Sequence, residues 1–320
     1  MDTILRELVT PKFLVLYAYL GCVLYVHFRG KERLRFTRQL GEHSGIFSPF
    51  NVLMYAFSAV PKDPVLDVED FPQLKVLRDN WETIRDEALA LEGKGLIDYG
   101  AAHDDMAFVA FRWRGWKRFH IKWYHDAFPS AKQLCPKTVA LVESIPGVNA
   151  AAFTMLPPGK ELGRHRDPFA VSLRYHLGLV TPKAEGCAIW IDGQKKVWHE
   201  GEDFVFDETY IHWAKNETDE NRIILFVDFT RPLHTPVMRG FANFFIKYVF
   251  GATRSHNLPG EPKGALNYLT PIVFNLKTFF LALKNKNRRA YYTGKYALGA
   301  LAGYLLLVRP IWERWVEAAP

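Results

Sequence analysis

Between Ala151 and Pro232 the chain is a succession of short β-like runs separated by turn residues, and this pattern constrains its fold more than any other feature. The runs are AAFTML, VSLRYHLGLV, GCAIWI, KKVWHE, DFVFDE and RIILFVDF, with breaks at glycine, proline, asparagine and aspartate. Many short strands with regular turns predict a sandwich or barrel of the jelly-roll kind. Hydrophobic residues make up 49% of the chain, which is enough for a packed core.

Two side chains in this region are placed to bind one metal ion. A single residue separates His165 from Asp167, so on an extended strand both side chains leave the same face. His212 follows after a stretch long enough for about three or four strands. Two imidazoles and one carboxylate leave three positions of an octahedral ion free, which is typical of non-haem Fe(II) oxygenases; zinc usually takes four ligands or three nitrogen-rich ones. The competing interpretation is that both histidines are ordinary surface residues.

The run SLRYHLGL alternates polar and apolar side chains. Ser172, Arg174 and His176 share one face of the predicted strand, and the residues between them share the other. A polar lining opposite an aliphatic outer layer suits a pocket for small anions.

A second alternating run, RIILFVDF, begins with an arginine. Arg222 shares a face with Ile224 and Phe226, so its guanidinium needs an anionic partner in apolar surroundings. A dicarboxylate co-substrate would supply one, because guanidinium and carboxylate match as a bidentate pair. The alternative is a structural salt bridge with Asp228 or Glu208.

An apolar run near the N-terminus predicts a membrane anchor. Phe13–Phe28 carries no charge and is barely long enough to span a bilayer. A cleaved signal peptide is the competing interpretation, but the run lacks a small-x-small cleavage site. The basic residues that follow it place the bulk of the chain in the cytoplasm by the positive-inside rule. The three cysteines fit no disulfide framework and suit a reducing compartment.

Three further apolar segments lie in the C-terminal part of the chain: Met238–Gly251, Leu266–Leu283 and Tyr296–Val308. The last is too short to span a bilayer and the second is interrupted by Pro271, so we expect interfacial or re-entrant helices. Helices that merely cap a soluble core are the alternative. The basic clusters between these segments would attract anionic lipid head groups.

The net charge of +7 also predicts an anionic partner. Phe108–Tyr124 alternates aromatic and basic residues around Gly115 and reads as a hairpin, which could stack on nucleic-acid bases or lie exposed as a plain β-ribbon. No nucleic-acid module motif is present, so we expect lipid head groups rather than nucleic acid, and no obligate protein partner. Helical spacing predicts an amphipathic helix over about Phe71–Glu92.

Together these patterns predict a mainly β catalytic core with flanking helices and membrane-associated ends. The expected division is an anchor with its basic flank at 1–38, a helical linker region at 39–107, the core at 108–235 and a membrane-associated helical tail at 236–320.

The stretches GRHRDPF, SLRYHLGLVTP and DFVFDETYIHWAKNETDENRIILFVDFTRP resemble the aspartyl/asparaginyl β-hydroxylase superfamily of 2-oxoglutarate-dependent dioxygenases. The specific similarity spans roughly Phe108–Pro232, and the membrane-anchored layout most resembles bacterial lipid A acyl-chain 2-hydroxylases. The resemblance implies a double-stranded β-helix with Fe(II) bound by His165, Asp167 and His212. It also implies that Arg222 binds the distal carboxylate of 2-oxoglutarate.

The resemblance extends to three supporting residues. Thr154 matches a hydroxyl that helps to hold that carboxylate, and His176 matches a histidine at the other end of the co-substrate. Arg174 matches a position tied to substrate recognition in the protein-hydroxylating branch. That branch carries glycine where this chain has Asp167, so the full triad points toward the lipid-modifying branch.

The expected function is therefore that of a dioxygenase at the bacterial inner membrane, with its catalytic domain facing the cytoplasm. It would consume O2 and 2-oxoglutarate, release succinate and carbon dioxide, and hydroxylate the 2-position of a lipid-linked acyl chain, with lipid A as the leading candidate. The alternatives are another acylated lipid such as ornithine lipid, an Asp or Asn side chain of a protein, and a non-catalytic jelly roll that binds a ligand at the membrane.

Overall fold

The computed structural model of the chain describes residues 6, 8–98, 115–124, 126–182 and 184–317. They form two compact units: one runs from Val23 to Thr270, and the other comprises the described residues of Met1–Cys22 and Pro271–Pro320. Every predicted site residue lies in the unit from Val23 to Thr270.

Two antiparallel sheets form the centre of this unit. The strands are β1 (Val65–Leu66), β2 (Lys117–Trp123), β3 (Val148–Leu156), β4 (Glu161–His165), β5 (Ser172–Val180), β6 (Cys187–Ile191), β7 (Gln194–Val197), β8 (Asp203–Phe206), β9 (His212–Asn216) and β10 (Arg222–Thr230). One sheet has six strands in the order β1-β8-β5-β10-β3-β2, and the other has four in the order β4-β9-β6-β7. The predicted jelly-roll-like core of antiparallel sheets with flanking helices is confirmed.

The predicted alternation along β5 and β10 decides which side chains face the site. The apolar set lies in the main hydrophobic core: Leu173, Tyr175, Leu177, Ile223, Leu225 and Val227. The other set lines a cavity that residues of both sheets enclose: Arg174, His176, Arg222, Ile224 and Phe226. Each buried apolar side chain contributes about 1.5–3 kcal/mol. A slip of one residue in the register would exchange the two sets, so burial fixes the register.

Helices cover the outer face of the six-stranded sheet. They are α5 (Lys75–Asp79), α6 (Trp81–Glu92), α7 (Pro129–Leu134) and α8 (Pro136–Ser144). The chain before them forms α1 (Pro11–Phe28), α2 (Phe36–Leu40), α3 (His43–Ile46) and α4 (Ser48–Ala56), and the chain after the barrel forms α9 (Pro236–Phe245), α10 (Thr270–Lys286), α11 (Arg288–Gly303) and α12 (Arg309–Glu317). Short 3-10 turns occur at Val68–Asp70, Pro72–Leu74, Gly251–Thr253 and Ala265–Leu269, and π-helical turns at Ile246–Phe250 and Tyr304–Val308.

The helix predicted over about Phe71–Glu92 is divided at Asn80. The side-chain amide of Asn80 donates to the carbonyl oxygen of Val76 at 2.8 Å, and asparagine competes in this way with helical backbone hydrogen bonds. The predicted apolar face is nevertheless buried against the sheet, at Leu74, Leu77, Ile84, Ala88 and Leu91.

Two helices of the described chain are long and apolar enough to cross a membrane: Pro11–Phe28 and Ala265–Lys286. The expectation that Pro271 interrupts the second segment is wrong. The turn Ala265–Leu269 runs directly into α10, and Pro271 lies in the first turn of that helix. Proline is tolerated there because the first backbone N–H groups of a helix have no intrahelical partner.

Two segments outside the predicted strands of residues 151–232 contribute strands to the six-stranded sheet. Part of the predicted hairpin over Phe108–Tyr124 lies outside the described residues, and its C-terminal arm is β2, which pairs with β3. The region predicted as a helical linker contributes a strand as well, because β1 pairs with β8 at the edge of the six-stranded sheet.

Candidate metal centre

The three predicted metal ligands meet where β4 pairs with β9. His165 ends β4 and His212 begins β9, and the antiparallel register sets them opposite each other, with ring centroids 4.2 Å apart. Asp167 follows β4, and its backbone N–H donates to the carbonyl oxygen of Glu208 at 2.9 Å. One ligand atom of each of the three side chains lies within 4.8 Å of the other two. The fold therefore gathers two imidazoles and a carboxylate around one point.

Hydrogen bonds orient both imidazoles for metal binding. His165 Nδ1 lies 2.7 Å from the carbonyl oxygen of Gly163, and His212 Nδ1 lies 3.0 Å from that of Tyr210. A carbonyl oxygen accepts only, so each Nδ1 carries a proton and each Nε2 keeps its lone pair for a metal. Burial, followed by the neighbouring His212, lowers the pKa of His165 to about 3, and burial lowers the pKa of His212. Both rings are therefore neutral at physiological pH.

Arg174 keeps the third ligand ionised. Burial by itself raises the pKa of Asp167, but Arg174 and the neighbouring histidines together outweigh burial and hold that pKa below its ordinary value. Arg174 Nη2 lies 2.8 Å from Asp167 Oδ2, and the same guanidinium forms ion pairs with Glu208 and Asp228. It also lies 3.8 Å from the centroid of the Phe226 ring. One arginine thus joins three buried carboxylates, and its predicted contact with substrate stays a prediction.

Glu208 and Asp228 are parts of this site that the sequence assigned elsewhere. The alternative interpretation of the sequence made them salt-bridge partners of Arg222, but both form ion pairs with Arg174 instead. Asp228 faces Arg174 in the register of β10 with β5. Along β10, Asp228 lies about 20 Å from Arg222 at the rise of an extended strand. Strand pairing, which the sequence does not give, decides which arginine each carboxylate meets.

Arg222 is a buried cation that forms no ion pair with any of the residues described here. Its exposed fraction is 2%, and its Nε and Nη2 have no hydrogen-bond partner among the described residues. Burial lowers its pKa to about 10. The guanidinium lies 4.5 Å from the ring centroid of Trp198. Because an unpaired buried charge costs several kcal/mol, this arrangement favours an anionic ligand.

A cavity connects Arg222 with the three ligands. It encloses about 520 Å³, including space open to solvent, and Thr154 and His176 are among its lining residues. Their predicted contacts with 2-oxoglutarate stay predictions. His176 Nε2 is buried without a hydrogen-bond partner in the described chain, while its Nδ1 lies 3.4 Å from Trp198 Nε1. No sequence pattern predicted that Trp198 and Trp213 line this cavity, because their positions follow from how the two sheets face each other. The residues present therefore fit a divalent metal at one end and a dicarboxylate at the other.

Comparison with known proteins gives a consistent result. Residues 78–232 match the family described as aspartyl/asparaginyl beta-hydroxylase. The chain is 34% identical over 183 residues to the ornithine lipid ester-linked acyl 2-hydroxylase of Rhizobium tropici. This alignment covers 56% of this chain and 65% of the relative. It is 33% identical over 174 residues to the aspartyl/asparaginyl beta-hydroxylase of Homo sapiens, covering 52% of this chain and 22% of that protein.

The chain thus spans less than two thirds of the length of either relative. Among solved structures, a Pseudomonas putida prolyl-4-hydroxylase aligns with a TM-score of 0.33 and 18% identity, over 48% of this chain and 88% of that one.

Replacing His165 or His212 by alanine removes one of three metal ligands and leaves the strands intact. We expect Fe(II) affinity, measured by anaerobic titration calorimetry, to fall by at least about 100-fold, since even loss of a supporting hydrogen bond costs 10–100-fold. His199→Ala, at an exposed histidine outside the cavity, is the matched control. Wild-type affinity in either ligand variant would remove that residue from the site.

Replacing Arg222 by alanine should weaken 2-oxoglutarate binding. Loss of a bidentate, charge-assisted contact of about 3 kcal/mol corresponds to a roughly 100-fold higher Kd. Arg222→Lys, which keeps the charge and loses the fork, should fall between alanine and wild type. The Kd is measured by anaerobic titration of the Fe(II)-loaded protein, and an unchanged value for Arg222→Ala would transfer the role to another residue.

Proposed function

We propose that the chain is an Fe(II)- and 2-oxoglutarate-dependent hydroxylase acting on an acyl chain of a membrane lipid, because residues 78–232 match the aspartyl/asparaginyl beta-hydroxylase family and the Rhizobium tropici relative is named as an acyl 2-hydroxylase. The observation that carries the proposal is the cavity that joins the His165, Asp167 and His212 cluster to the unpaired Arg222. A non-catalytic binding module would need neither end of it.

His165, Asp167 and His212 would hold Fe(II), which when bound would activate O2 for hydroxylation of a C–H bond, with 2-oxoglutarate as the source of two electrons. The chain itself supplies protonation states and position. Its carbonyl acceptors fix both imidazole tautomers, and Arg174 keeps Asp167 ionised, so no proton has to leave the site before the metal binds.

Arg222 would orient the co-substrate. Its buried guanidinium offers unpaired N–H groups to the distal carboxylate, and pairing with that carboxylate would offset the cost of burying the charge. Ile224 and Phe226, on the same face of β10, line the cavity and keep it poor in water, which strengthens the ion pair. A dicarboxylate therefore fits this end better than a monocarboxylate would.

A second cavity supports an apolar substrate. Asp167 and Arg174 line both cavities, so the second reaches the metal cluster from another side. Its walls include four aromatic side chains, Trp123, Tyr124, Phe169 and Phe250, and it encloses about 640 Å³, including space open to solvent. Tyr124 stacks on Phe250 with centroids 4.8 Å apart. Walls of this kind favour a hydrocarbon chain, at about 0.8 kcal/mol for each buried CH2 group.

The charge around Arg174 argues against an aspartyl side chain as the substrate. Three carboxylates of the chain already surround this guanidinium. A substrate carboxylate would have to displace one of these partners beside the ionised Asp167, in a buried site where like charges repel strongly. We therefore favour a lipid acyl chain over a protein side chain, and Arg174 would contact the lipid carbonyl region at most.

The choice of lipid rests on the relatives. Lipid A was the leading expectation from the sequence, but the Rhizobium tropici relative is named as acting on ornithine lipid, and this favours the alternative. We propose that an ester-linked acyl chain of an aminolipid is the substrate and that carbon 2 is the position hydroxylated. Two helices with the length and composition of membrane spans agree with a substrate that resides in the bilayer. That the catalytic unit faces the cytoplasm stays a prediction.

Lipid extracts of cells with and without the gene test the substrate directly by mass spectrometry. We expect ornithine lipid one oxygen atom heavier only where the gene is present, with fragmentation that assigns the oxygen to carbon 2 of the ester-linked chain. The Asp167→Ala variant, expressed to the same level, is the control for catalysis. A gain of oxygen on lipid A alone would return the assignment to the first expectation, and no oxygenated lipid would contradict the proposal.

The second cavity has its own test. Phe250→Trp should narrow the second cavity. We expect KM for the lipid in mixed micelles to rise about 10-fold, because one to two CH2 groups of the acyl chain would no longer be buried. KM for 2-oxoglutarate should stay constant. Phe244→Trp, at an exposed aromatic residue of α9, is the matched control. A change in both KM values, or in neither, would show that the acyl chain lies elsewhere.

A further inference from the structure

Residues 165–170 form the turn that carries two of the three proposed metal ligands, and this turn depends on a distant part of the chain. We propose that the segment from Val23 to Ala56, here called the N-terminal brace, is part of the metal site and that Gln39, His43 and Asn51 position the turn. This inference rests on the proposed function, because it takes His165 and Asp167 as metal ligands. It assigns a direct role to residues that the sequence divides between an anchor and a linker.

The turn needs partners because most of it belongs to no strand. β4 ends at His165 and β5 begins at Ser172, so the backbone between them has no sheet ladder. Asn51 supplies two of the missing hydrogen bonds. Its Nδ2 donates to the carbonyl oxygen of Pro168 at 3.0 Å, and its Oδ1 accepts from the backbone N–H of Ala170 at 2.9 Å. One buried amide thus closes the turn across Phe169 in place of a neighbouring strand.

Arg166, the residue between the two ligands, is held at both its backbone and its side chain. His43 Nε2 lies 2.6 Å from the carbonyl oxygen of Arg166, so the ring donates. Arg166 Nη1 donates to Gln39 Oε1 at 3.3 Å. Gln39 is fully buried, and its Nε2 donates to the carbonyl oxygen of Val23 in the last turns of α1 at 3.2 Å. A continuous chain of hydrogen bonds therefore runs from Val23 of α1 through Gln39 to Arg166 in the turn.

A second arm of the brace reaches the loop before His212. Arg29, the residue after α1, forms a 2.5 Å ion pair with Asp207 and donates to Thr209 Oγ1 at 2.9 Å. Its guanidinium lies between the rings of Tyr55 and Tyr210, 3.8 and 4.0 Å from their centroids. The carbonyl oxygen of Tyr210 is the acceptor that orients His212. The brace therefore contacts residues on both sides of the ligand cluster.

The geometry points to metal affinity as the property that the brace controls. Metal ligands must be held within a few tenths of an ångström, and supporting hydrogen bonds of this kind typically change metal affinity by 10–100-fold. None of the three positioning residues lines either cavity, so their loss leaves the lining of both cavities intact. A purely structural brace would instead change stability without changing affinity in the folded protein.

The test uses the full-length chain in detergent, Co(II) as the metal and no co-substrate. For Asn51→Ala we expect a 10- to 100-fold higher Kd for Co(II) and altered intensity of its visible absorption bands, which report ligand geometry. Asn51→Asp keeps the acceptor for Ala170 and loses the donor to Pro168, and should lie between alanine and wild type. His43→Gln, which retains a donor, should bind Co(II) more tightly than His43→Ala.

Ser48→Ala is the matched control. Ser48 is buried in the same segment, but its hydroxyl donates only locally, to the carbonyl oxygen of Gly45 at 2.7 Å. We expect this variant to lower the melting temperature of the metal-free protein as much as Asn51→Ala does and to leave Co(II) affinity unchanged. Equal Co(II) affinities for Asn51→Ala and wild type, or equal losses in Asn51→Ala and Ser48→Ala, would overturn the proposal.

Failure of this inference is distinguishable from failure of the proposed function. If Asn51→Ala unfolds, the comparison of Asn51→Asp and His43→Gln with wild type decides, because both keep part of the contact. Wild-type protein that binds Co(II) tightly but oxygenates no lipid would contradict the proposed substrate and leave the brace standing. Wild-type protein that binds no Co(II) would overturn both.

Discussion

The antiparallel pairing of β4 with β9 is the constraint on which the site depends. It sets His165 opposite His212 at the junction of strand and loop, so that two imidazoles approach one point without strain in either backbone. The carbonyl oxygens of Gly163 and Tyr210 fix the tautomers of the two rings. The turn after β4 places Asp167 beside them. Because the two strands also share a sheet with β6 and β7, the ligands rest on a packed scaffold rather than on free loops.

Two buried arginines of the same cavity lie in opposite electrostatic surroundings. Arg174 has three carboxylates around it, and its charge keeps the metal-binding Asp167 ionised. Arg222 forms an ion pair with no carboxylate in the described part of the chain, and burial lowers its pKa. A neutralised arginine is a structural element, whereas an unpaired one retains free energy that a bound anion can release. This difference fits a supporting role for Arg174 beside the proposed metal ligand Asp167, and an anion-binding role for Arg222.

Alternation let the sequence predict much of this. The polar and apolar faces of β5 and β10 followed from a period of two, and so did the set Arg222, Ile224 and Phe226 that lines the cavity. Helix boundaries were less predictable. Asn80 divides a helix that spacing alone makes continuous, and Pro271 lies in the first turn of a helix that it was expected to interrupt. Both outcomes depend on local hydrogen bonds that a hydrophobic pattern does not report.

The sequence by itself determined the residue types of the site and the faces on which they lie, since these follow from strand periodicity and from the chemistry of imidazole, carboxylate and guanidinium. Only the tertiary structure decided which charges meet. The register of β10 against β5 places Asp228 opposite Arg174. The fold of residues 23–56 places hydrogen-bond partners beside the turn of residues 165–170. The physical reason is that pairing between distant segments is chosen by burial of the whole core, and no stretch of sequence contains that information alone.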